Sequence, residues 1–372
     1  MAKSADGKLD HRKTLQSAAA PVFGTANLSR AFKVGFFLTP NFTMMAFTSA
    51  IEPLRLANQV TERNLYSWRL YSADGQPVRA SNNVEVRVDE AYVQARDLGA
   101  AILCAGNGVQ SLDHRDAIAA LRRLSSFGTS LGAVCTGTYV LAKAGLLDGY
   151  QSTIHWENQA ALMAAFPTLD VTSELFEIDR NRFTCAGGTA AADMMLSIIG
   201  RDHGQALATA VTDQLIHHRI REASERQRMD LRTRLGVAHP RLLAVVARME
   251  ETIETPLSCT ALAQEAGVSP RQLERLFAKY LGHSPTRHYL TVRLDRARFL
   301  LQQTSHPILS VAMACGFVSA SHFSKSYNEH FGHTPSTERR AGARDLKPEA
   351  AALEIKTAGR KARSRKPMPQ MG

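Results

Sequence analysis

Short apolar runs alternate with helical patterns over residues 31–200. Five runs predict strands, at 33–38, 68–72, 100–104, 130–134 and 182–185. Apolar residues between them recur with helical spacing at 44–58, 115–127, 138–144, 156–165 and 190–200. This alternation predicts an α/β domain with a mainly parallel sheet, in which ligands bind at the carboxyl ends of the strands. Those ends lead here into the loops CAGNG (104–108), CTGT (135–138) and CAGG (185–188).

Two segments near the C-terminus, 263–285 and 312–335, repeat one pattern. Each begins with Ala, three residues and Gly, continues with Ser and a large apolar residue at every fourth position, and ends on Gly-His-x-Pro. Gly267 and Gly316 permit the positive φ of a tight turn, and Ser269 and Ser319 can cap a new helix. Each segment therefore predicts a helix-turn-helix unit in an all-α domain, with an ordinary helical bundle as the alternative.

The apolar series keeps one face of each second helix in a core and leaves a polar, basic face free. Such a helix fits the major groove of double-stranded DNA. Amide and guanidinium groups can pair with base edges there, and other basic groups contact only phosphate. The predicted DNA-binding residues are Arg271, Gln272, Arg275, Lys279, Ser321, His322, Lys325 and Asn328.

The net charge of +11 is concentrated in the last third of the chain. Residues 1–230 hold 23 basic and 23 acidic side chains, whereas residues 231–340 hold 14 against 8 and residues 341–372 hold 8 against 3. A basic excess around the repeated units indicates the phosphate backbone of DNA as a partner.

The composition divides the chain into five regions. We expect a disordered start (1–30), an α/β sensing domain (31–204), a helical connector with one long helix at 205–229 (205–239), a DNA-binding domain (240–338) and a disordered basic tail (339–372). Five scattered cysteines without metal spacing, no apolar run of membrane-spanning length and no signal core predict a cytoplasmic protein that needs no metal or cofactor.

Cys135 is the candidate for chemistry, because it follows an apolar run and precedes a helix, as a nucleophile does in a strand–turn–helix elbow. A helix N-terminus would lower its pKa, and His155 could act as its base. Three interpretations remain open: a hydrolase nucleophile, a redox sensor, and a small residue that fills a tight turn. Cys104 and Cys185 end apolar runs and are expected to be buried.

The repeated units, with HPILSVAMACGFVSASHFSKSYNEHFGHTP, resemble the DNA-binding domain of the AraC/XylS transcription regulators over about 240–338. GAVCTGTYVLAKAGLLDG (132–149) and TIHWE (153–157) resemble the PfpI-like branch of the class I glutamine amidotransferase-like fold. Together the domains resemble the GlxA-type AraC regulators. The resemblance implies a homodimeric regulator that senses a small-molecule effector, activates transcription and works with RNA polymerase.

One position departs from the enzymes of that fold, which place a Glu beside the nucleophilic Cys. That position falls near 44–46, where no carboxylate occurs, so Cys135 and His155 are expected to line a pocket rather than catalyse. The resemblance thus implies a ligand site of Cys135, Thr136, His155, Trp156, Gly106 and Asn107. FTSAIEPLRLAN is similar to regulators of glycine betaine and carnitine catabolism, although others in the subgroup respond to amino acids. Trp156 is the best-placed candidate for the aromatic wall that a quaternary amine needs, ahead of Phe42 and Trp68, and simple core packing is the alternative role for it.

Overall fold

The computed structural model describes residues 22–23, 30–304 and 306–345. Eleven strands lie in this part of the chain: β1 Phe32–Leu38, β2 Tyr66–Ser72, β3 Val78–Arg79, β4 Glu85–Val86, β5 Glu90–Ala91, β6 Ala100–Ala105, β7 Ser130–Cys135, β8 Gln151–Ser152, β9 Asp170–Val171, β10 Phe176–Asp179 and β11 Arg182–Cys185.

The helices of the first domain are α1 Met44–Thr61, α2 Arg115–Ser126, α3 Gly137–Lys143, α4 Gln159–Ala165, α5 Ala190–His203 and α6 Gln205–Gln214. Those that follow are α7 Leu231–Leu235, α8 Pro240–Glu251, α9 Cys259–Glu265, α10 Pro270–Leu281, α11 Pro285–Gln303, α12 Ile308–Ala314, α13 Ala320–Phe331 and α14 Pro335–Asp345.

A seven-stranded sheet in the order β10-β11-β7-β6-β1-β2-β5 forms the middle layer of the first domain, and its neighbours pair in parallel except β10 with β11. Consecutive residues of a strand face opposite sides, so Phe36 packs in the core with α1 and α5, and Phe37 in the core with α2 and α3. Burial on both faces explains why the central strands are continuous apolar runs.

The predicted α/β class and its five strands are confirmed, with bounds that differ by one or two residues. The helix predicted at 156–165 begins later, at Gln159, because a turn intervenes in which the Asn158 amide donates to the His155 carbonyl at 2.8 Å. The two-residue strands β3, β4, β5, β8 and β9 are too short for their period to be read from the sequence, and β10, with four residues, is also not predicted.

The long helix predicted at 205–229 is wrong. Helix α6 ends at Gln214, Ile216 adopts a left-handed φ of 52°, and the chain runs without helix until α7. Tertiary contacts account for this path: Arg221 pairs with the fully buried carboxylate of Asp193 at 2.6 Å, and the Leu175 amide donates to the Ala223 carbonyl. Helix α6 itself packs on α1 and α5, with Ala208 fully buried.

Both predicted disordered ends contain ordered residues. Val22 and Phe23 are buried, with the backbone amide of each donating to Asp202 and the Phe23 ring stacked on Phe32 at 4.7 Å. At the other end, 339–345 belong to α14, which packs on α11. Residues 1–21, 24–29 and 346–372 lie outside the described residues, so the disorder predicted for them stays a prediction.

The C-terminal domain has two cores that share one helix. Tyr289, near the start of α11, packs with α8, α9 and α10, whereas Leu294, Ala297 and Leu301 pack with α12 and α13. The two helix-turn-helix units, α9–α10 and α12–α13, are thus fixed to opposite ends of α11.

The turn and cap predictions for both units are confirmed. Gly267 and Gly316 have φ of 63° and 72°, and Ser269 and Ser319 accept the backbone amides of Gln272 and His322. The apolar series is buried at Leu273, Phe277, Phe323 and Tyr327, and α10 and α13 end at left-handed Gly282 and Gly332.

Candidate effector site and nucleic-acid interface

Cys135 lies at the carboxyl end of β7, immediately before the turn into α3. Its φ of 58° is left-handed, which is the strained conformation expected of an elbow. Thr43 Oγ1 is hydrogen bonded to the Cys135 Sγ at 3.4 Å, and a Cβ added to Gly187 would lie 2.7 Å from the Cβ of Cys135. The thiol is therefore closely enclosed, with the residue only 7% exposed.

The three loops predicted at the carboxyl ends meet around this residue. Ala105 lies beside Cys135 in the parallel register, and the Thr136 hydroxyl donates to the Gly106 carbonyl at 2.7 Å. A Cβ at Gly106 would lie 2.1 Å from the carbonyl oxygen of Asn41, so only glycine lets the loop approach that closely. Asn107, the next residue, is exposed.

His155 contacts Glu157 and Trp156 rather than the thiol. Its Nδ1 lies 3.6 Å from Glu157 Oε2, its ring packs at 5.7 Å from that of Trp156, and among the described residues no hydrogen bond joins it to Cys135. Burial lowers the pKa of His155. The nucleophile–base pair considered for Cys135 and His155 therefore has no hydrogen bond to support it in this conformation.

The pKa of the Cys135 thiol is raised, chiefly by burial. Hydrogen bonds from Thr43 and from the backbone of Thr136 act in the opposite direction, and the nearby Glu157 carboxylate raises the pKa further. The expectation that the start of α3 would produce a low pKa is thus wrong, because loss of solvation outweighs the favourable amides. Cys104 and Cys185 are fully buried, as expected.

Thr43 is the residue that sequence reasoning missed at the elbow. It immediately precedes α1 and contacts the thiol from just before the 44–46 segment, where the enzymes' carboxylate would be expected. Glu52, the nearest acid along the helix, points away and pairs with Arg55 at 2.7 Å. A search for a hydroxyl, and not only for an acid, in the residues after β1 would have found Thr43.

Trp156 is one of the exposed members of the candidate site, with 37% of its surface exposed. The guanidinium of Arg228 lies over its ring, 4.2 Å from the centroid. Arg228 Nη1 also lies 3.3 Å from Glu250 Oε2 of α8. One side chain therefore joins the sensor loop to the first helix of the DNA-binding domain.

Helix α11 contacts two of the candidate loops directly. The Gly108 amide donates to Gln303 Oε1 at 3.1 Å, and Arg296 Nη1 donates to the carbonyl of Glu157 at 2.9 Å. Gly108 follows Asn107, and Glu157 follows Trp156. The helix that joins the two helix-turn-helix units is therefore hydrogen bonded beside the candidate effector residues.

The eight predicted DNA-binding side chains all lie exposed on α10 and α13. Gln272 has a second role, because its Oε1 accepts the Ser269 amide at 2.9 Å and completes a capping box. Its Nε2 and one lone pair of Oε1 remain available to a base in this conformation. Lys325 lies 3.9 Å from Glu329, a distance at which an exposed pair costs little to separate.

Sequence reasoning missed a second basic element beside α10. His239 caps α8, with its Nδ1 accepting the Leu242 amide at 3.4 Å, and Arg241 lies on the first turn of that helix. Both residues line a cavity with Gln272 and Arg275. The sequence signal was His-Pro-Arg before an apolar helical pattern.

Membrane-spanning helices and metal-binding clusters are both absent from the described residues. No helix in the described ranges is long and apolar enough to cross a membrane. Within the same ranges, no three His, Cys, Asp or Glu side chains are grouped so as to hold a metal ion.

Comparison with known proteins agrees with both halves of the fold. The DJ-1/PfpI family model matches residues 33–201, and a helix-turn-helix domain model matches residues 262–341. The HTH-type transcriptional regulator GbdR of Pseudomonas aeruginosa is 48% identical over 82% of this chain and 83% of its own length. CdhR of Pseudomonas aeruginosa is 44% identical (82% and 90%), and GlxA of Rhizobium meliloti is 40% identical (84% and 97%).

A DJ-1/PfpI-fold domain followed by two helix-turn-helix units defines a class of DNA-binding transcription regulators. The chain belongs to the AraC family of HTH-type transcriptional regulators, in its GlxA-type subgroup with relatives such as GbdR and CdhR.

Proposed function

We propose that this regulator binds a small metabolite at the loops around Cys135 and converts binding into a changed arrangement of its helix-turn-helix units. The observation that carries the proposal is a pair of hydrogen bonds at α11: the Gly108 amide donates to Gln303, and Arg296 donates to the Glu157 carbonyl. A ligand that moves either loop alters the contacts of the helix that spaces the two units. It can shift the equilibrium only by its differential affinity for the two arrangements.

The proposed effector site keeps the six residues inferred from the sequence in two roles. Asn107, His155 and Trp156 are accessible and would contact the ligand, whereas the buried Cys135, Thr136 and Gly106 would hold the loops. The favoured ligand is a quaternary amine such as glycine betaine or carnitine, since Trp156 presents a π face that already accepts a cation.

We infer that the sensor domain is not an enzyme. The close enclosure of the thiol and its raised pKa both disfavour a nucleophilic thiolate, although the Thr43 hydrogen bond acts in the opposite direction. The hydrolase interpretation of Cys135 would require a measurable turnover. The redox interpretation would require a reversible oxidation of the thiol that changes DNA affinity.

The proposed DNA contacts are the eight exposed side chains of α10 and α13. Spaced by α11, the two units would read successive turns of the major groove, about 10 base pairs apart, and a homodimer would read two such half-sites. The proposed outcome is that the DNA-bound regulator activates transcription through contact with RNA polymerase.

A thermal-shift screen of the full chain against quaternary amines and amino acids tests the sensing step, because a ligand that binds only the folded state raises the melting temperature. Footprinting on a DNA fragment selected by the protein, with and without the effector, tests the coupling. Footprints and transcription that do not change with a bound effector would remove the proposal.

A further inference from the structure

We propose that the cleft between the sensor loop and the DNA-binding domain is a binding site for a small organic cation, which displaces Arg228 from the face of Trp156. This inference rests on the proposed sensing function and adds a place and a mechanism of displacement to it. The cleft has a volume of about 510 Å³ and is lined by residues of both domains.

Its walls combine aromatic rings with excess negative charge. Trp156 comes from the sensor loop and Phe299 from α11. Five carboxylates line the cleft: Glu157, Glu250, Glu251, Glu254 and Asp295. Three guanidinium groups also line it, those of Arg228, Arg234 and Arg296. Arg248, outside the lining, pairs with Glu251 at 3.3 Å. A locally acidic cleft in a chain of net charge +11 favours a cationic ligand over an anionic one.

The carboxylates differ in how far the protein already neutralises them. Glu250 pairs with both Arg228 and Arg234, at 3.3 and 2.6 Å. Glu254 is exposed, and no hydrogen bond or ion pair joins it to any residue that the structure describes. Loss of solvation raises the pKa of Asp295, whereas the nearby charges of His330 and Arg298 lower it. Glu254 therefore leaves negative charge available to a ligand.

The π face of Trp156 shows which kind of group the cleft accepts. The Arg228 guanidinium lies 4.2 Å from the ring centroid, within the range of a cation–π contact. A methylated ammonium group prefers the same aromatic face and needs no hydrogen-bond acceptor. The protein's own arginine and the ligand would therefore compete for one surface.

Displacement would have a consequence for the DNA-binding domain. Arg228 lies in the connector and pairs with Glu250 of α8, which also holds Arg234 of α7. Moving Arg228 off Trp156 breaks the link between the sensor loop and α8. A ligand in the cleft would thus change the contacts of α8, which belongs to the first core of the DNA-binding domain.

Fluorescence of the full chain tests the site. The chain has two tryptophans, so the Trp68→Phe variant reports on Trp156 alone. Choline is the cationic probe, and 3,3-dimethylbutan-1-ol is its neutral isostere. We expect a saturable change in Trp156 emission with choline and none with the alcohol. Equal effects of the two probes, or none with choline, would overturn the proposal.

The competition is tested by adding Arg228→Ala. Choline should then bind roughly three- to tenfold more tightly, since the competing cation is gone. Arg219→Ala is the matched control, because Arg219 lies in the same connector but pairs with Glu225. If Arg228→Ala does not fold, Arg228→Lys replaces it: a lysine holds the ring less firmly, so choline should still bind more tightly than to Trp68→Phe alone. Unchanged or weaker binding in the folded variant contradicts displacement.

The two proposals can fail separately. If glycine betaine raises the melting temperature and changes DNA affinity but leaves Trp156 emission unaltered, effector sensing stands and the cleft site is wrong. If choline behaves as expected in the cleft while DNA affinity is unaffected by any ligand, the cleft site stands and the proposed regulation is wrong.

Discussion

Arg296 donates a hydrogen bond of 2.9 Å to the backbone oxygen of Glu157. The first residue belongs to the helix that joins the two helix-turn-helix units, and the second follows Trp156 in the sensor loop. With Gln303 bonded to the Gly108 amide, α11 is attached to both candidate effector loops.

Removing these attachments should separate sensing from DNA binding. In an Arg296→Met, Gln303→Leu double variant, we expect the effector to bind while the ratio of DNA affinities with and without it falls to near one, from the roughly 5–150-fold typical of allosteric coupling. Fluorescence anisotropy with the metabolite returned by the thermal-shift screen measures the ratio. Arg287→Met, an exposed change on the same helix, is the control. A ratio unaltered in the double variant would show that coupling runs elsewhere.

Arg275 and Lys279 on α10 should differ in what they contribute to DNA binding. We expect Arg275→Ala to weaken binding by roughly 1–3 kcal/mol and to relax sequence preference at one position, as a base contact would. Lys279→Ala should weaken binding to all DNA sequences alike and lower the number of ions released on binding, read from the salt dependence of the affinity, by about one. Anisotropy titrations at several salt concentrations decide this. Glu274→Ala, at an exposed residue of the same helix, serves as the reference. If Arg275→Ala and Lys279→Ala reduce DNA affinity no more than Glu274→Ala does, both proposed contacts are excluded.

Cys135 should react slowly with alkylating reagents at neutral pH, because burial raises the pKa of its thiol. Cys259, which is partly exposed, provides an internal standard of reactivity. Mass spectrometry after timed iodoacetamide treatment measures both rates. Faster labelling of Cys135 than of Cys259, together with DNA affinity that changes on peroxide treatment, would support redox sensing instead.

Glu338 should stabilise the second unit. Burial opposes its ionisation, yet hydrogen bonds from His333, Gln302 and Tyr327 hold its pKa at about 2. Since the folded pKa lies below the unfolded one, this stabilisation is complete above about pH 4.5 and is lost as the pH falls towards 2. Glu338→Gln should therefore cost roughly 2–3 kcal/mol at pH 7 and less at pH 3.

Denaturant unfolding at the two pH values measures the effect of Glu338→Gln. Glu329→Gln changes an exposed carboxylate whose ion-pair partner among the described residues is Lys325, and it should cost well under about 1 kcal/mol at either pH. An equal cost of Glu338→Gln at pH 3 and pH 7 would show that its carboxylate charge contributes nothing.

The two turn glycines should respond differently to alanine, although they occupy matching positions of the repeat. A Cβ at Gly267 meets nothing within 4 Å, so Gly267→Ala pays only for its positive φ, about 1 kcal/mol. A Cβ at Gly316 would lie 2.5 Å from the Ile253 carbonyl oxygen, so Gly316→Ala should cost roughly 2–4 kcal/mol. Thermal unfolding of both variants compares them, and equal costs would contradict the close contact.

Much of the fold could be read from local pattern. Continuous apolar runs such as 100–104 can be satisfied only by strands buried on both faces, and Ser269 and Gly282 mark the ends of α10 by their own capping chemistry. The connector could not be read this way. Its helical propensity is outweighed by a tertiary contact, because Arg221 pairs with the buried Asp193, which is 28 positions away in the chain.

The candidate site divides along the same line. The sequence by itself determined the elbow at Cys135, the loops at the carboxyl ends of the strands and the exposed faces of α10 and α13, because each follows from local spacing and the order of strands. Only the tertiary structure decided that Thr43 and not His155 contacts the thiol, that Arg228 covers Trp156, and that α11 reaches Gly108 and Glu157. Those contacts join residues far apart in the chain, and their distances depend on how whole layers pack.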